Sequence, residues 1–310
     1  MSILNAPYFH DEIAAIKHLE SIVWADGIVC PKCGVIDNSN ELKGKATRAG
    51  LRKCYACRKQ FTVKVGTVFE SSHIPLHKWL QAAYLMASSK KGVSSHQIHR
   101  TLEVTYKTAW FMTHRLREAM RPLNPEPIGG EGKVVEADET YVGGKEQNKH
   151  LNKRNPNAKG YQTKEAVFSM VERGGNVRSY HIGQTKAETI KPIITALVHK
   201  RTVLCTDDAH VYQTVSNDVA AHQVVNHSAK QYVVGEVHTN TIEGYFSVFK
   251  KGMKGVYQHC GKQHLQRYLN EFDFRYNERE ITDLERTNVA LAGIKGKRLT
   301  YQQPCFNEKY

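Results

Sequence analysis

Long apolar runs are missing from this 310-residue chain. Nowhere do about 18 apolar residues follow one another, which excludes a membrane-spanning helix. The first twenty residues, MSILNAPYFHDEIAAIKHLE, carry acids and lack a basic leader ahead of an apolar stretch, so a secretory signal is not expected. A disulfide framework is also missing. Of seven cysteines, Cys205, Cys260 and Cys305 are scattered singly, which fits a reducing compartment and a cytoplasmic, nucleoid-associated location. There is no internal repeat. Acidic charge is in short supply: 44 Lys and Arg face 30 Asp and Glu, for a net charge of +14. Residues 1–121 hold 18 of the bases against 9 acids, and between Lys43 and Lys64 there are eight bases and no acid. Such local concentration points to a polyanionic partner.

The other four cysteines form two tight pairs, Cys30-Pro-Lys-Cys33 and Cys54-Tyr-Ala-Cys57, separated by twenty residues. A two-residue gap lets both thiolates of a pair reach one tetrahedral ion, and the second pair completes the shell. A structural Zn²⁺ ribbon is therefore expected over 25–70, after an N-terminal helix within 1–24. QFTVKVGTVF alternates like a strand, and Pro75 opens a helix with an apolar stripe of Leu76, Trp79, Leu80, Ala83, Tyr84 and Ala87. Ser94 and Thr105 then each lead a helix, joined by a short turn around Val104, which makes a helix-turn-helix within 71–121. Its candidate DNA contacts are Lys107, Thr108, His114, Arg115 and Arg117. Trp110 and Phe111 read as core.

PLNPEPIGGEGK predicts a linker over 122–133. A catalytic domain over 134–290 and a tail over 291–310 follow. Strands are expected in KVVEADETYVG, on both sides of Gly174-Gly175, in TVLCTDD and in AHQVVNHS. Helices are expected in KAETIKPIITALVHK, TNTIEGYFSVFKKGM and QHLQRYLNEFDFRYNER. This alternation suits an α/β domain with a mixed sheet flanked by helices. The basic run 145–164 reads as a mobile loop that orders on DNA or as an unbound linker. Tyr268, Phe272, Phe274 and Tyr276 read as core or docking residues.

Three carboxylates stand out by position: Asp138 in the first strand, Asp207 ending the strand TVLCTD, and Glu243 opening a helix. Carboxylates at strand ends and on a covering helix can converge on one sheet edge and hold two Mg²⁺ or Mn²⁺ ions, about 3.5–4 Å apart, for in-line phosphoryl displacement. Asp208 and Glu139 are turned away by strand alternation, whereas Glu136 shares the face of Asp138 and is its rival. Asn240 is the rival of Glu243. Lys250 lies seven residues after Glu243, two helical turns on and on the same face, where it could approach a phosphate. His227 could sit near the ions or serve as a cap.

The chain resembles the zinc-ribbon insertion-sequence transposases of the DDE superfamily, in the ISXO2-like branch. The resemblance runs through CPKCG…CYACRKQFTVKVGTVFESSHIPLHKW, KKGVSSHQIHRTLEVTYKTAWFMTHRLREAM, VEADETYVGG, TDDAHVY, NHS, HTNTIEGYFSVFKKGMKGVYQH and HLQRYLNEFDFRYNER, in that order. It implies a ribonuclease-H-like core that acts on transposon-end DNA and target DNA through two metals. The third acid position varies in that family, so Glu243 and Asn240 both stay open. A homodimer or larger assembly is expected, because two ends must be held together. A non-catalytic DNA-binding regulator, or a nuclease that cuts without joining, are the competing readings.

Overall fold

A computed structural model describes residues 2–157, 160–226, 233–234 and 237–300. The chain divides into two compact units, residues 1–121 with 278–310, and residues 122–277. Among the described residues, no helix is long and apolar enough to cross a membrane. His227 and Cys305 lie outside the described residues.

In the first unit, Asp11 caps helix α1 (Glu12–Val23) by accepting from the Ala14 amide at 2.7 Å. Strands β1 (Ser39–Glu41), β2 (Arg52–Cys54) and β3 (Gln60–Phe61) form a small antiparallel sheet. The strand expected to run on through QFTVKVGTVF stops at Phe61. Val65 turns back to the Thr62 carbonyl, and Gly66 takes φ +75°, a region that favours glycine. Helix α2 (Leu76–Ser88) follows, with Pro75 at its cap position. Pro75 has no side-chain donor or acceptor to satisfy that end, so Glu12 does so from α1, accepting from the Leu76 amide at 2.6 Å. Helices α3 (Ser95–Leu102) and α4 (Tyr106–Met120) have Ser94 and Thr105 as caps, with Glu103 in the left-handed region between them.

The second unit contains β4 (Val134–Val142), β5 (Glu165–Glu172), β6 (Val177–Ile182), helix α5 (Ala187–Leu197), β7 (Val203–Asp207) and β8 (Ala221–Val225). A short hairpin of β9 (Val233–Val234) and β10 (Val237–His238) leads into α6 (Asn240–Gly252), and α7 (Leu265–Asn277) closes the unit. The five strands run in the order β6-β5-β4-β7-β8. The β4–β5 and β5–β6 pairs are antiparallel, whereas β4–β7 and β7–β8 are parallel. Strand alternation then divides β4. Val135 and Ala137 join Phe168, Met170, Leu204, Ile190 and Ile194 in the core under α5. Glu136 and Asp138 point to the opposite face, where Val167 and Val171 pack on Ile242, Phe249 and Leu269 of α6 and α7. The same face holds a buried polar cluster, in which Asp273 accepts from the Tyr245 hydroxyl at 2.6 Å and from the Ser179 amide at 2.7 Å. The ring residues Tyr268, Phe272 and Phe274 are core.

Two expected boundaries move. The stretch 122–133 is part of the second unit rather than a free linker: Ile128 is buried in its core and pairs with Val198. The second unit also ends at Asn277, not at 290. Helix α8 (Asp283–Ala292) belongs to the first unit, where it packs on α2. Thr282 and Glu285 form its capping box, and buried Arg286 donates to the carbonyls of Ala87, Glu278 and Ile281. Phe168 on β5 is fully buried in the core under α5, so Phe168→Ala is expected to cost about 3–5 kcal/mol of unfolding free energy, measurable by urea denaturation.

Candidate functional site

The four cysteines come together within the first unit. Cys30 Sγ lies 3.7 Å from Cys57 Sγ, Cys33 Sγ lies 3.7 Å from Cys54 Sγ, and all four sulfurs are within 4.8 Å of one another. Tetrahedral zinc with bonds of about 2.3 Å needs sulfur–sulfur edges of about 3.8 Å. The donor set and spacing therefore fit Zn²⁺. Burial pushes the Cys30 thiol up, but the Lys32 and Cys33 amides and neighbouring sulfurs outweigh it and bring it down to about 7, toward the thiolate a metal binds. Phe61 and Trp24 pack against the site in place of a larger core.

The candidate carboxylates all lie in the second unit. The β4–β7 ladder pairs Val134 with Val203, and Glu136 with Cys205. The ladder ends there; Asp138 follows two residues on, in the middle of β4, and Asp207 two residues on, at the C-terminal end of β7, and an extension of the same register would put them on one face. Asp138 accepts from the Glu139 amide at 2.7 Å, and Asp207 from the Ala209 amide at 3.1 Å. Burial pushes the Asp138 carboxyl up to about 7. The Asp207 and Glu243 carboxylates push it the same way, while the Glu139 amide and the Lys250 ammonium oppose them. Four residues distant in sequence thus share one electrostatic neighbourhood. Among the described residues, only the cysteines form a set of three or more ligand atoms as tight as 4.8 Å; the acids are more open. Oxygen donors with unneutralised mutual repulsion are what a hard divalent cation relieves, so this set fits Mg²⁺ or Mn²⁺.

Glu243 lies in the first turn of α6, is exposed, and accepts from the Thr239 hydroxyl at 3.2 Å. Asn240 is the exposed first residue of the same helix. Lys250 is exposed, with its ammonium 5.9 Å from the Phe246 ring centroid. Asp208 is exposed. Glu139 faces the α5 side, as strand alternation predicts, but it is not remote from the acids. Burial pushes its carboxyl up to about 7; the Tyr212 hydroxyl opposes that rise, and Asp138 and Asp207 add to it.

Glu136, the rival of Asp138 on strand grounds, does something else. Its side chain is 0% exposed, and its carboxylate accepts from the Thr241 amide at 2.8 Å, the Ile242 amide at 3.0 Å and the Thr241 hydroxyl at 2.9 Å. Arg173 Nε donates to it at 2.6 Å, and His238 Nδ1 lies 3.1 Å away. Its parity with Asp138 is visible in the sequence; its partners, 37 and 105 residues away, are not.

The DNA contacts expected on α4 need correcting. His114, Arg115 and Arg117 are 0%, 5% and 1% exposed. Arg115 donates to the carbonyls of Glu70 and Leu299 and stacks over Phe111, and Arg117 donates to the Thr113 hydroxyl. Thr108 is half-buried and bonded to its cap, Thr105, at 2.9 Å. Lys107 is exposed, beside exposed Tyr106 and, on α3, exposed His96, Gln97 and Arg100. Trp110 and Phe111 are half-buried, Trp110 against His114. In the basic run 145–164 the described residues include two short helical turns. There Glu146 pairs with Lys149 at 2.6 Å and accepts from the Asn155 amide at 2.7 Å.

Comparison with known proteins gives two family matches. Residues 129–277 match the ISXO2-like transposase domain, and residues 10–60 match the transposase zinc-ribbon domain. A protein in transposable element ISH50 of Halobacterium salinarum is 29% identical over 280 residues, covering 86% of this chain and 91% of the relative. A simian T-cell lymphotropic virus intasome structure, in complex with PP2A regulatory subunit B56 gamma, matches with a TM-score of 0.28 and 14% identity, over 57% of this chain and 67% of that one.

Two outcomes follow. Cys54→Ser should reduce bound zinc from one per chain to near zero by elemental analysis and unfold the ribbon. The raised Asp138 carboxyl binds a proton in the folded state between about pH 4 and 7 that the unfolded state does not. Its contribution is therefore complete below about pH 4 and lost as pH rises through about 7. In chelator, Asp138→Asn should melt higher than the unsubstituted protein at pH 8, with the gap closing toward pH 4.

Proposed function

We propose, for a chain that belongs to the ISXO2-like zinc-ribbon transposases, that it binds the terminal inverted repeats of an insertion sequence, cleaves their 3′ ends and joins them to target DNA. The observation that carries this reading is the shared neighbourhood of Asp138, Asp207, Glu243 and Lys250. The central β4, antiparallel to β5 on one side and parallel to β7 on the other, with helices on both faces, supports a ribonuclease-H-like core.

In this reading Asp138, in mid β4, and Asp207, at the end of β7, present carboxylate oxygens from adjacent strands, and Glu243 presents a third from α6. Asn240, one turn earlier on the same helix, offers a neutral oxygen; a carboxylate neutralises a dication better, so Glu243 is the assigned ligand. Two Mg²⁺ or Mn²⁺ ions, when bound, would supply Lewis-acid stabilisation and a more acidic water or 3′-hydroxyl. Lys250 holds a positive charge two helical turns from Glu243, where it can meet a phosphodiester oxygen. Cleavage and joining are both displacements at phosphorus, so one site serves both.

DNA is gripped by the zinc ribbon and by α3 and α4 acting as a helix-turn-helix. Because Arg115 and Arg117 are interior, the contacts fall to the start of α4 and the exposed side of α3: Tyr106, Lys107, His96, Gln97 and Arg100. The first residues of a recognition helix are those that reach base edges. Two such chains, or more, hold the two ends.

Asp207→Asn should lower Mg²⁺-dependent nicking of an end-containing duplex by at least about 100-fold while leaving end binding in a gel-shift assay unchanged. Unchanged nicking would sink the assignment. Lys107→Ala should weaken end binding and reduce its salt dependence by about one counterion.

A further inference from the structure

Glu136 carries a full carboxylate into a site without solvent, two residues before Asp138 on the same strand. Its oxygens take both the Thr241 and Ile242 amides and the Thr241 hydroxyl, all in the first turn of α6. The first turn of a helix leaves its amides without internal partners and carries partial positive charge, so a carboxylate there is doubly favoured. Thr239, at the cap position of α6, makes no side-chain capping bond to a helix amide; its hydroxyl instead donates to the Glu243 side chain. Glu136 fills the vacant capping role from the sheet. Arg173 closes the arrangement, donating Nε to Glu136 at 2.6 Å and Nη2 to the His238 carbonyl at 2.9 Å, on the segment entering α6.

We infer that Glu136, held by Arg173, is a positioning residue for the metal site: it pins the N-terminal turn of α6, and with it Glu243, to the strand that carries Asp138. Glu136 is not itself a ligand, because its oxygens are already engaged by helix amides, a hydroxyl and a guanidinium. The inference rests on the reading of Asp138, Asp207 and Glu243 as ligands. It adds that the third ligand's place is set by an acid on the strand of the first. Other groups facing Glu136 are His238, at 3.1 Å, and Cys205, which pairs with it in the ladder.

The test compares Glu136→Gln, Arg173→Lys and Asp207→Asn with the unsubstituted full chain, following Mn²⁺ binding by calorimetry, melting temperature, and nicking across a range of Mg²⁺ concentrations. Glutamine keeps one accepting oxygen but turns an NH₂ group toward amide donors. Glu136→Gln should remain folded, bind DNA normally, and need about 10-fold or more metal for half-saturation, with nicking restored at high metal. Arg173→Lys keeps the charge but loses the fork, and should shift the same midpoint in the same direction; it carries the test if Glu136→Gln does not fold. Metal midpoints that stay in place in both variants would overturn the inference, as would loss in Glu136→Gln that no metal concentration restores, which is the behaviour of a ligand. If the unsubstituted protein binds Mn²⁺ but never nicks, the transposase reading fails, and the calorimetric midpoints still decide the positioning role.

Discussion

Glu136 sits on the central strand with no exposure to solvent, so its charge has to be met from within the protein. Taking a carboxylate out of water costs several kcal/mol, and a charged hydrogen bond returns about 1.5–3 kcal/mol. The amides of Thr241 and Ile242, the Thr241 hydroxyl and the Arg173 guanidinium offset that cost together. None of these donors is local to Glu136 in sequence, so the interaction forms only when β4, the segment after β5 and the start of α6 have assembled. It fixes the rotation of α6 about its axis, and the Tyr245 hydroxyl on Asp273 fixes it again one turn later. Glu243 lies between these two anchors. The first turns of α6, which carry Glu243, are thus tied to the rest of the unit at two points.

A second constraint works against stability. Asp207 and Glu243 act on Asp138 as like charges, and Glu139 on the far face of β4 feels Asp138 and Asp207 in the same way. Burial and repulsion push Asp138 and Glu139 up to about 7, well above the usual carboxylate range. The zinc-binding set of the first unit is the opposite case. Its four sulfurs already stand close enough to occupy the corners of a tetrahedron, and an ion there would take the place of a hydrophobic core that three short strands cannot build. One site is closed, soft and structural; the other is open, hard and electrostatically incomplete.

Local signals in the sequence carried much of this. Cysteine spacing places the ribbon because two-residue gaps have one common use. Alternation places β4, and with it the separate faces of Asp138 and Glu139. Ser94 and Thr105 mark α3 and α4 because caps act within three residues. What the sequence hid is non-local. Arg115 looked like a surface base, but carbonyls 45 and 184 residues away take its donors and draw it inside. Ile128 looked like linker because its partner Val198 is far along the chain. Glu136 looked like a rival ligand because periodicity gives its face but not its partners. The T-D-L-E box of α8 was readable, yet nothing local says that this helix belongs with the first unit.

The competing reading, a chain that only binds DNA, must account for the acids. A binder needs basic residues near phosphate, and there the second unit does the reverse: it sets Asp138, Asp207 and Glu243 within electrostatic reach of one another and buries the carboxyls of Asp138 and Glu139. Repulsion among these groups lowers stability near neutral pH, and it lowers affinity for any phosphate brought there without a cation. Replacing Asp138 with an amide would relieve that repulsion. Divalent ions would relieve that repulsion and let a phosphodiester approach, which is why the acids and the Glu136 clamp favour the proposed reading over that of a binder.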